Sequence, residues 1–299
     1  MKKTTCFLVI FTLILSSILF TGCSNSDKLK SPIRLTDMMD REVTIEKKVN
    51  KIVSLTPSNT EILYAIGLGD LIVGVDEYSN YPSDTANKQK VGDYTGPNLE
   101  LIVSKAPDVV FASTKLQKST IDDMVNAGII VVAAEATSYS QIYESIELIG
   151  KVCQVTDESD KLINDMKNRA MAVYDRVKDL EKKSVYYVSS FGEYGDWTSG
   201  PGSFINDMLI MAGGAPFITI NYPWIQYNVE DIIINNPEVV VSGLTDSEFD
   251  SLKQATGYKD LYAFKNGRVY NLDPDIISRP GPRSVGALEQ ISEFLHPKT

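Results

Sequence analysis

Eight aromatic side chains fall between the segments that pattern as strands and helices: Tyr78, Tyr81, Tyr94, Tyr194, Trp197, Tyr222, Trp224 and Tyr227. Both tryptophans of the chain are among them, and several of the eight neighbour Gly or Pro. A core would hold Trp inside elements. Trp flanked by turn residues suits a wall with one apolar face and one wet edge. Together these rings suit a broad, flat, partly apolar ligand. Residues 273–283 add both signs of charge on a loop stiffened by Pro274, Pro280, Gly281 and Pro282. Within it, Asp275 and Arg279 either pair with each other to hold the loop or hydrogen-bond a ligand.

The chemistry that is missing is as informative. The only histidine, His296, is fourth from the end and next to Pro297, so the common nucleophile–histidine arrangements have no base. Zinc or manganese sites draw on His clusters or Cys pairs, and neither occurs. No Gly-x-x-x-x-Gly-Lys-Ser/Thr run occurs. Residues 198–203, Thr-Ser-Gly-Pro-Gly-Ser, form either an anion cradle at a helix N-terminus or a plain turn with Ser203 as N-cap. The expectation is a binding protein and not an enzyme, with no metal site and no cofactor beyond the ligand it carries.

The surrounding pattern must position these side chains. Residues 35–50 suggest a small hairpin. Residues 51–55 read as a strand, and Ser58-Asn59-Thr60-Glu61 as a capping box opening a helix that Gly67 and Gly69 close. Strands over 71–75, 108–112 and 129–133 alternate with helices over 119–127 and 140–153. Such alternation predicts a parallel sheet covered on both faces. Residues 157–183 differ. Ile163, Met166, Ala170, Val173, Val177 and Leu180 recur every three or four positions without Gly or Pro, which predicts one helix of roughly 40 Å. Strand–helix alternation restarts at Ser184.

The second half resembles the first at an offset of 130 residues. Of the 16 positions 98–113 set against 228–243, six are identical, and Tyr94 and Trp224 each stand four residues before the matching Asn. The fold class expected is α/β: two similar lobes with mostly parallel sheets, joined by one long helix, with a ligand cleft between them. The boundaries are a lobe over 35–156, the linker helix over 157–183 and a lobe over 184–299. Glu100 and Glu230 then open equivalent helices. There a carboxylate either serves the helix dipole or docks a partner.

The N-terminus reads as a secretory signal over 1–22. Lys2 and Lys3 precede a 14-residue apolar run, Phe7 to Phe20, too short to span a bilayer core of roughly 30 Å. Leu19-Phe20-Thr21-Gly22-Cys23 resembles a bacterial lipobox, which implies cleavage before Cys23, acylation of its thiol and a polar tether over 23–34. The expected location is the extracytoplasmic face of the cell membrane, lipid-anchored. Without the signal the chain has 27 basic and 39 acidic side chains, a net charge of −12. That excess disfavours nucleic acid and polybasic lipid contacts. Cys6 leaves with the signal and Cys23 takes lipid. Cys153, on an apolar helical stripe, is expected to be a buried core thiol.

Residues 52–61 through Gly67, Gly74-Val75, Tyr78-Ser79-Asn80-Tyr81-Pro82, and Asn98-Leu99-Glu100 through Pro107-Asp108-Val109-Val110 resemble the helical-backbone substrate-binding proteins of ABC importers. The resemblance extends over residues 33–296, and cobalamin-binding members are nearest; others carry ferric siderophores or haem. It implies aromatic ligand contacts at Tyr78, Tyr94, Trp197 and Trp224. It also implies a polar pair at Asp275 and Arg279, and docking of Glu100 and Glu230 on arginines of a two-subunit permease. An aromatic of that group is replaced here by Ser113. Cobalamin or a related corrinoid is the ligand expected, with a hydroxamate siderophore or haem as the alternative. A monomer is expected. An adhesive or scaffolding surface lipoprotein is the rival from another class.

Overall fold

The computed structural model describes residues 28–93, 96–114 and 118–298, apart from the side chains of Lys118 and Tyr194. The expected signal peptide and Cys23 lie outside the described residues. The chain enters through an antiparallel hairpin, β1 (Lys28–Thr36) and β2 (Glu42–Lys47). Residues 28–34, expected in the tether, are therefore strand. Asp37 fixes the turn, accepting from Met39 N, Arg41 N and the Arg41 guanidinium, and it also accepts from Ala133 N at 3.0 Å. That last bond docks the hairpin on the first lobe.

The first lobe runs β3 (Ile52–Ser54), α1 (Pro57–Ala65), β4 (Ile72–Val75), α2 (Leu99–Ser104), β5 (Val109–Ala112), α3 (Lys118–Asn126), β6 (Val131–Ala133) and α4 (Tyr139–Cys153). Its sheet is wholly parallel, in the order β4-β3-β5-β6. The strands are buried on both faces: Val109, Val110, Phe111 and Ala112 are all inaccessible. Continuous apolar runs are what a sheet covered by helices on both sides requires.

After α5 (Thr156–Val177), the second lobe runs β7 (Lys183–Val188), β8 (Trp197–Ser199), α6 (Phe204–Met211), β9 (Gly214–Pro216), β10 (Trp224–Gln226), α7 (Val229–Asn235) and β11 (Val239–Ser242). It closes with α8 (Asp246–Leu252), α9 (Tyr262–Lys265), β12 (Val269–Asn271), α10 (Pro274–Ser278) and α11 (Ser284–Leu295). Its parallel sheet has the order β12-β11-β7-β9. Counted within each lobe, both sheets read second-first-third-fourth. The 130-residue offset is thus a repeat of topology, with β5 and β11 as equivalent strands.

The linker α5 buries Ile163, Met166, Ala170, Val173 and Val177. It ends there, six residues short of the expected Lys183. Leu180, expected on the stripe, lies beyond the helix and is exposed. A side chain at Gly150 would collide with Ser159, so glycine lets α4 and α5 pack closely. Arg169 donates twice to Glu289 (2.9 and 2.7 Å), tying the linker to α11. Cys153 is buried in the same core, as expected. His296 is half-buried over Gly213, its Nε2 3.2 Å from that carbonyl oxygen.

Candidate ligand cleft

The capping box expected at Ser58–Glu61 does not form. Helix α1 starts two residues earlier, with Pro57 in its first turn and Thr56 as N-cap accepting from Asn59 N at 3.3 Å. Pro at that position costs no helical bond. The shift places Thr56, Pro57 and Ser58 at the carboxyl end of β3, and Ser113 at the carboxyl end of β5. In a second-first-third-fourth sheet these two ends flank the point where strand order reverses, the usual place for a ligand crevice. A cleft of about 500 Å³ opens there, between the lobes. Its first-lobe wall has Thr56, Pro57, Ser58, Tyr78, Ser113 and Glu135. Across from it stand Trp224, Asp275, Ser278, Arg279 and Pro280.

A buried hydroxyl chain holds Tyr78 in place. Thr60 Oγ1 donates to Ser54 Oγ at 2.8 Å and lies 2.8 Å from Ser79 Oγ, which donates to Asp76 Oδ2 at 2.5 Å. The other oxygen of Asp76 accepts from Tyr78 N at 2.8 Å. Burial raises the Asp76 carboxyl above the ordinary carboxylate range, against the lowering effect of those two donors and of Lys90. Lys90 Nζ donates to the carbonyls of Asp76 and Ser79 (3.0 and 2.6 Å). The turn so fixed leaves Tyr78 53% exposed at the cleft.

The two tryptophans, expected in loops, lie on strands. Strands β8 and β10 pair antiparallel, with Trp224 opposite Ser199 and Trp197 opposite Gln226. Alternation sends Thr198 and Ile225 into the protein and puts both indoles on the other face, diagonal to each other. Thr198 Oγ1 donates to Tyr187 O at 2.6 Å and anchors this ribbon to β7. Of the two indoles, Trp224 lines the cleft. Tyr227 does not join the wall; it packs against Tyr186 and Phe217 in the second-lobe core. Tyr81 faces away, stacked under Arg283 at 4.2 Å. Tyr94 lies outside the described residues.

Asp275 and Arg279 are paired at 2.6 Å, so the internal ion pair read as one option in the sequence exists. Each also reaches the other lobe. Arg279 donates to Glu61 Oε1 (3.1 Å), Asn80 Oδ1 (2.8 Å) and Tyr78 O (3.2 Å). Asn80 Nδ2 donates to Asp275 Oδ2 at 2.8 Å. Ser113 donates to Glu135 Oε2 at 2.5 Å, and Ser58 donates to the other oxygen at 3.4 Å. Sequence reasoning missed Glu61, Asn80 and Glu135. Glu135 stands two residues past the end of β6, so the rule that ligands meet strand carboxyl ends could have found it. Glu61 was hidden by its fit to a capping pattern.

Ser203 acts as an N-cap, accepting from Asn206 N at 3.2 Å, which favours the plain turn over an anion cradle. Glu100 and Glu230 are exposed in the first turns of α2 and α7. Neither forms an ion pair among the described residues. No group of three His, Cys, Asp or Glu side chains suited to a metal occurs among the described residues. No helix among them is long and apolar enough to cross a membrane.

Two parallel α/β lobes on a single long helix, with an aromatic and polar cleft between them, define a solute receptor. Three comparisons give it a family. The model of the periplasmic binding protein family matches residues 52–276. The Bacillus subtilis (strain 168) protein YvrC, an uncharacterized ABC transporter substrate-binding lipoprotein, is 33% identical over 96% of each chain. Among solved structures, the periplasmic vitamin B12 binding protein BtuF of Vibrio cholerae superposes with a TM-score of 0.73 at 25% identity, covering 83% of this chain and 96% of its own. A Staphylococcus epidermidis protein described as a possible iron-binding (periplasmic solute-binding) protein gives 0.73 at 29%, covering 84% and 100%. The chain belongs to the periplasmic binding protein family. It is a substrate-binding protein of an ABC importer, with a small-molecule ligand and a permease partner, a transport component acting outside the cytoplasm.

Proposed function

We propose that this protein captures cobalamin or a related corrinoid in the interlobe cleft and delivers it to its permease, held at the membrane by lipid on Cys23. The observation that carries this reading is a cleft with one aromatic ring on each wall, Tyr78 and Trp224, beside the charge-balanced Asp275–Arg279 pair. Tyr78 and Trp224 offer faces to the edge of a macrocycle. Opposite charges on Asp275 and Arg279 offer both a donor and an acceptor to peripheral amides. The same wall disfavours a strongly anionic catecholate siderophore, which would need several convergent cations. Arg283, the other arginine of that loop, is committed to Glu61. The cleft is open to solvent, so one edge of a large ligand can enter while the rest stays at the rim. A scaffolding lipoprotein would have no use for such an opening. BtuF, whose described ligand is vitamin B12, supports the reading through its similar fold.

A hydroxamate siderophore or haem is the second reading. Hydroxamates are near neutral and so compatible with a balanced wall, the exposed Tyr78 phenol could ligate a haem iron, and the Staphylococcus relative is described as a possible iron binder. The deciding experiment titrates residues 24–299 with cyanocobalamin, following tryptophan fluorescence and heat. One-to-one saturable binding is expected. Trp224→Ala should weaken it about 10- to 100-fold, the effect of losing about 1.5–3 kcal/mol of aromatic burial. No binding by the wild type, with saturation by ferrioxamine B or haemin instead, would overturn the corrinoid reading.

A further inference from the structure

Glu61 is buried at the lobe interface, its side chain 2% exposed. It belongs to α1 of the first lobe, yet its partners are two guanidinium groups of the second. Arg283 binds it with two bonds, from Nε to Oε2 (2.8 Å) and from Nη2 to Oε1 (2.6 Å). Arg279 Nη1 reaches Oε1 at 3.1 Å. The Tyr81 ring under Arg283 covers that guanidinium from one side. Next to this cluster, Asn80 is a two-headed clip: its amide oxygen accepts from Arg279 and its amide nitrogen donates to Asp275. Neither Glu61 nor Asn80 lines the cleft; the two residues they hold do.

Arg279 therefore donates three hydrogen bonds from its two terminal nitrogens and is ion-paired with Asp275 besides. Nη1 serves Glu61 and Asn80, and Nη2 serves Tyr78 O and Asp275. With three of its five N–H hydrogens committed, the guanidinium has a single orientation, and its charge is balanced by Glu61 and Asp275 together. An arginine so balanced presents a fixed donor to a neutral acceptor instead of a free cation to an anion. Pre-organised polar groups bind better because the cost of ordering them is met before the ligand arrives.

We propose that Glu61 and Asn80 are positioning residues for ligand capture: they set the orientation and charge balance of the Asp275–Arg279 pair from the opposite lobe, so the polar half of the ligand site exists only when both lobes are in register. The inference rests on the cleft reading above and adds its selectivity for ligands with a neutral, amide-like rim.

The test is a double-mutant cycle on cyanocobalamin affinity with Glu61→Gln and Arg279→Gln. Each single variant is expected to weaken binding about tenfold or more, and the double variant no further than Arg279→Gln alone, because Glu61 acts through Arg279. A general structural role would instead give losses that multiply. Multiplying losses, or wild-type affinity in Glu61→Gln, would overturn the inference. Asn80 is exposed, and Asn80→Ala uncovers no buried charge. It repeats the cycle if Glu61→Gln does not fold, with the same non-additivity expected. If the wild type ignores cyanocobalamin, the corrinoid reading falls by itself, and the cycle is run on whichever of ferrioxamine B and haemin binds. If none binds, both fall.

Discussion

Asn98 and Asn228 cap equivalent helices in the two lobes: Asn98 Oδ1 accepts from Leu101 N and Asn228 Oδ1 from Glu230 N, each at 2.9 Å. Each cap sets an exposed glutamate two residues on, Glu100 and Glu230, in the first turn of its helix. The two-lobed topology makes these acids a pseudo-symmetric pair, suited to a permease of two subunits. The Glu100→Ala, Glu230→Ala double variant should keep ligand affinity within about twofold while transport falls at least about tenfold, since exposed charges on a partner surface act in docking and barely in the fold. Uptake of labelled ligand, measured beside ligand titration, separates the two. Lost ligand binding would contradict the docking role.

The lobes should move little on binding. Beyond the Glu61–Arg283 pair, Phe204 N donates to Thr137 O at 3.0 Å and Tyr139 N donates to Asp207 Oδ2 at 3.0 Å, both across the lobes. Apolar side chains of both lobes share one core, from Ile62 and Ile142 to Phe204 and Leu288. A hinge would have to break these contacts. Small-angle scattering profiles of free and ligand-saturated protein should superimpose; a large contraction would contradict the rigid frame.

The linker should report acid. The Arg169 guanidinium beside Glu289 holds its carboxyl below the ordinary value of 4.5. A folded pKa below the unfolded one adds stability above the ordinary value, and that contribution is lost as pH falls through the depressed one. Both side chains are about two-fifths exposed, so water screens the pair and its worth is about 0.5 kcal/mol. Glu289→Gln should unfold at lower temperature than the wild type at pH 7, with the gap closing from about pH 4.5 downward. Melting curves across that range check it; a gap that widens in acid would contradict the sign.

Cys153 should be silent in the native protein. Burial pushes its thiol up to about 12, and its residue is 5% exposed. In the domain 24–299 it is the only cysteine. A thiol reagent at pH 8 should label it at least about 100-fold more slowly in buffer than in denaturant, since labelling needs an opening of the α4–α5 core. Equal rates would place the thiol outside that core.

Patterns set by neighbours in the chain were legible in the sequence alone. Apolar runs bounded by turns gave parallel strands, a repeat every three or four residues gave the linker helix, and the 130-residue echo gave two like lobes. These follow from local periodicity, which burial on one face or on both imposes wherever the element packs. The aromatic content of the site and its Asp275–Arg279 pair were legible for the same reason: they lie in short segments whose composition stands out. Tertiary structure alone decided which partners those side chains meet. Glu61 fits a capping pattern three residues after Ser58, but an N-cap two residues earlier frees it to meet Arg279 and Arg283 from over 200 residues away. Trp197 and Trp224 share a face only because β8 and β10 pair, a contact between segments whose three-residue lengths carry no readable alternation. Side chains distant in sequence leave no periodic trace of meeting, and a buried charge takes whichever partner the packed lobes bring to it.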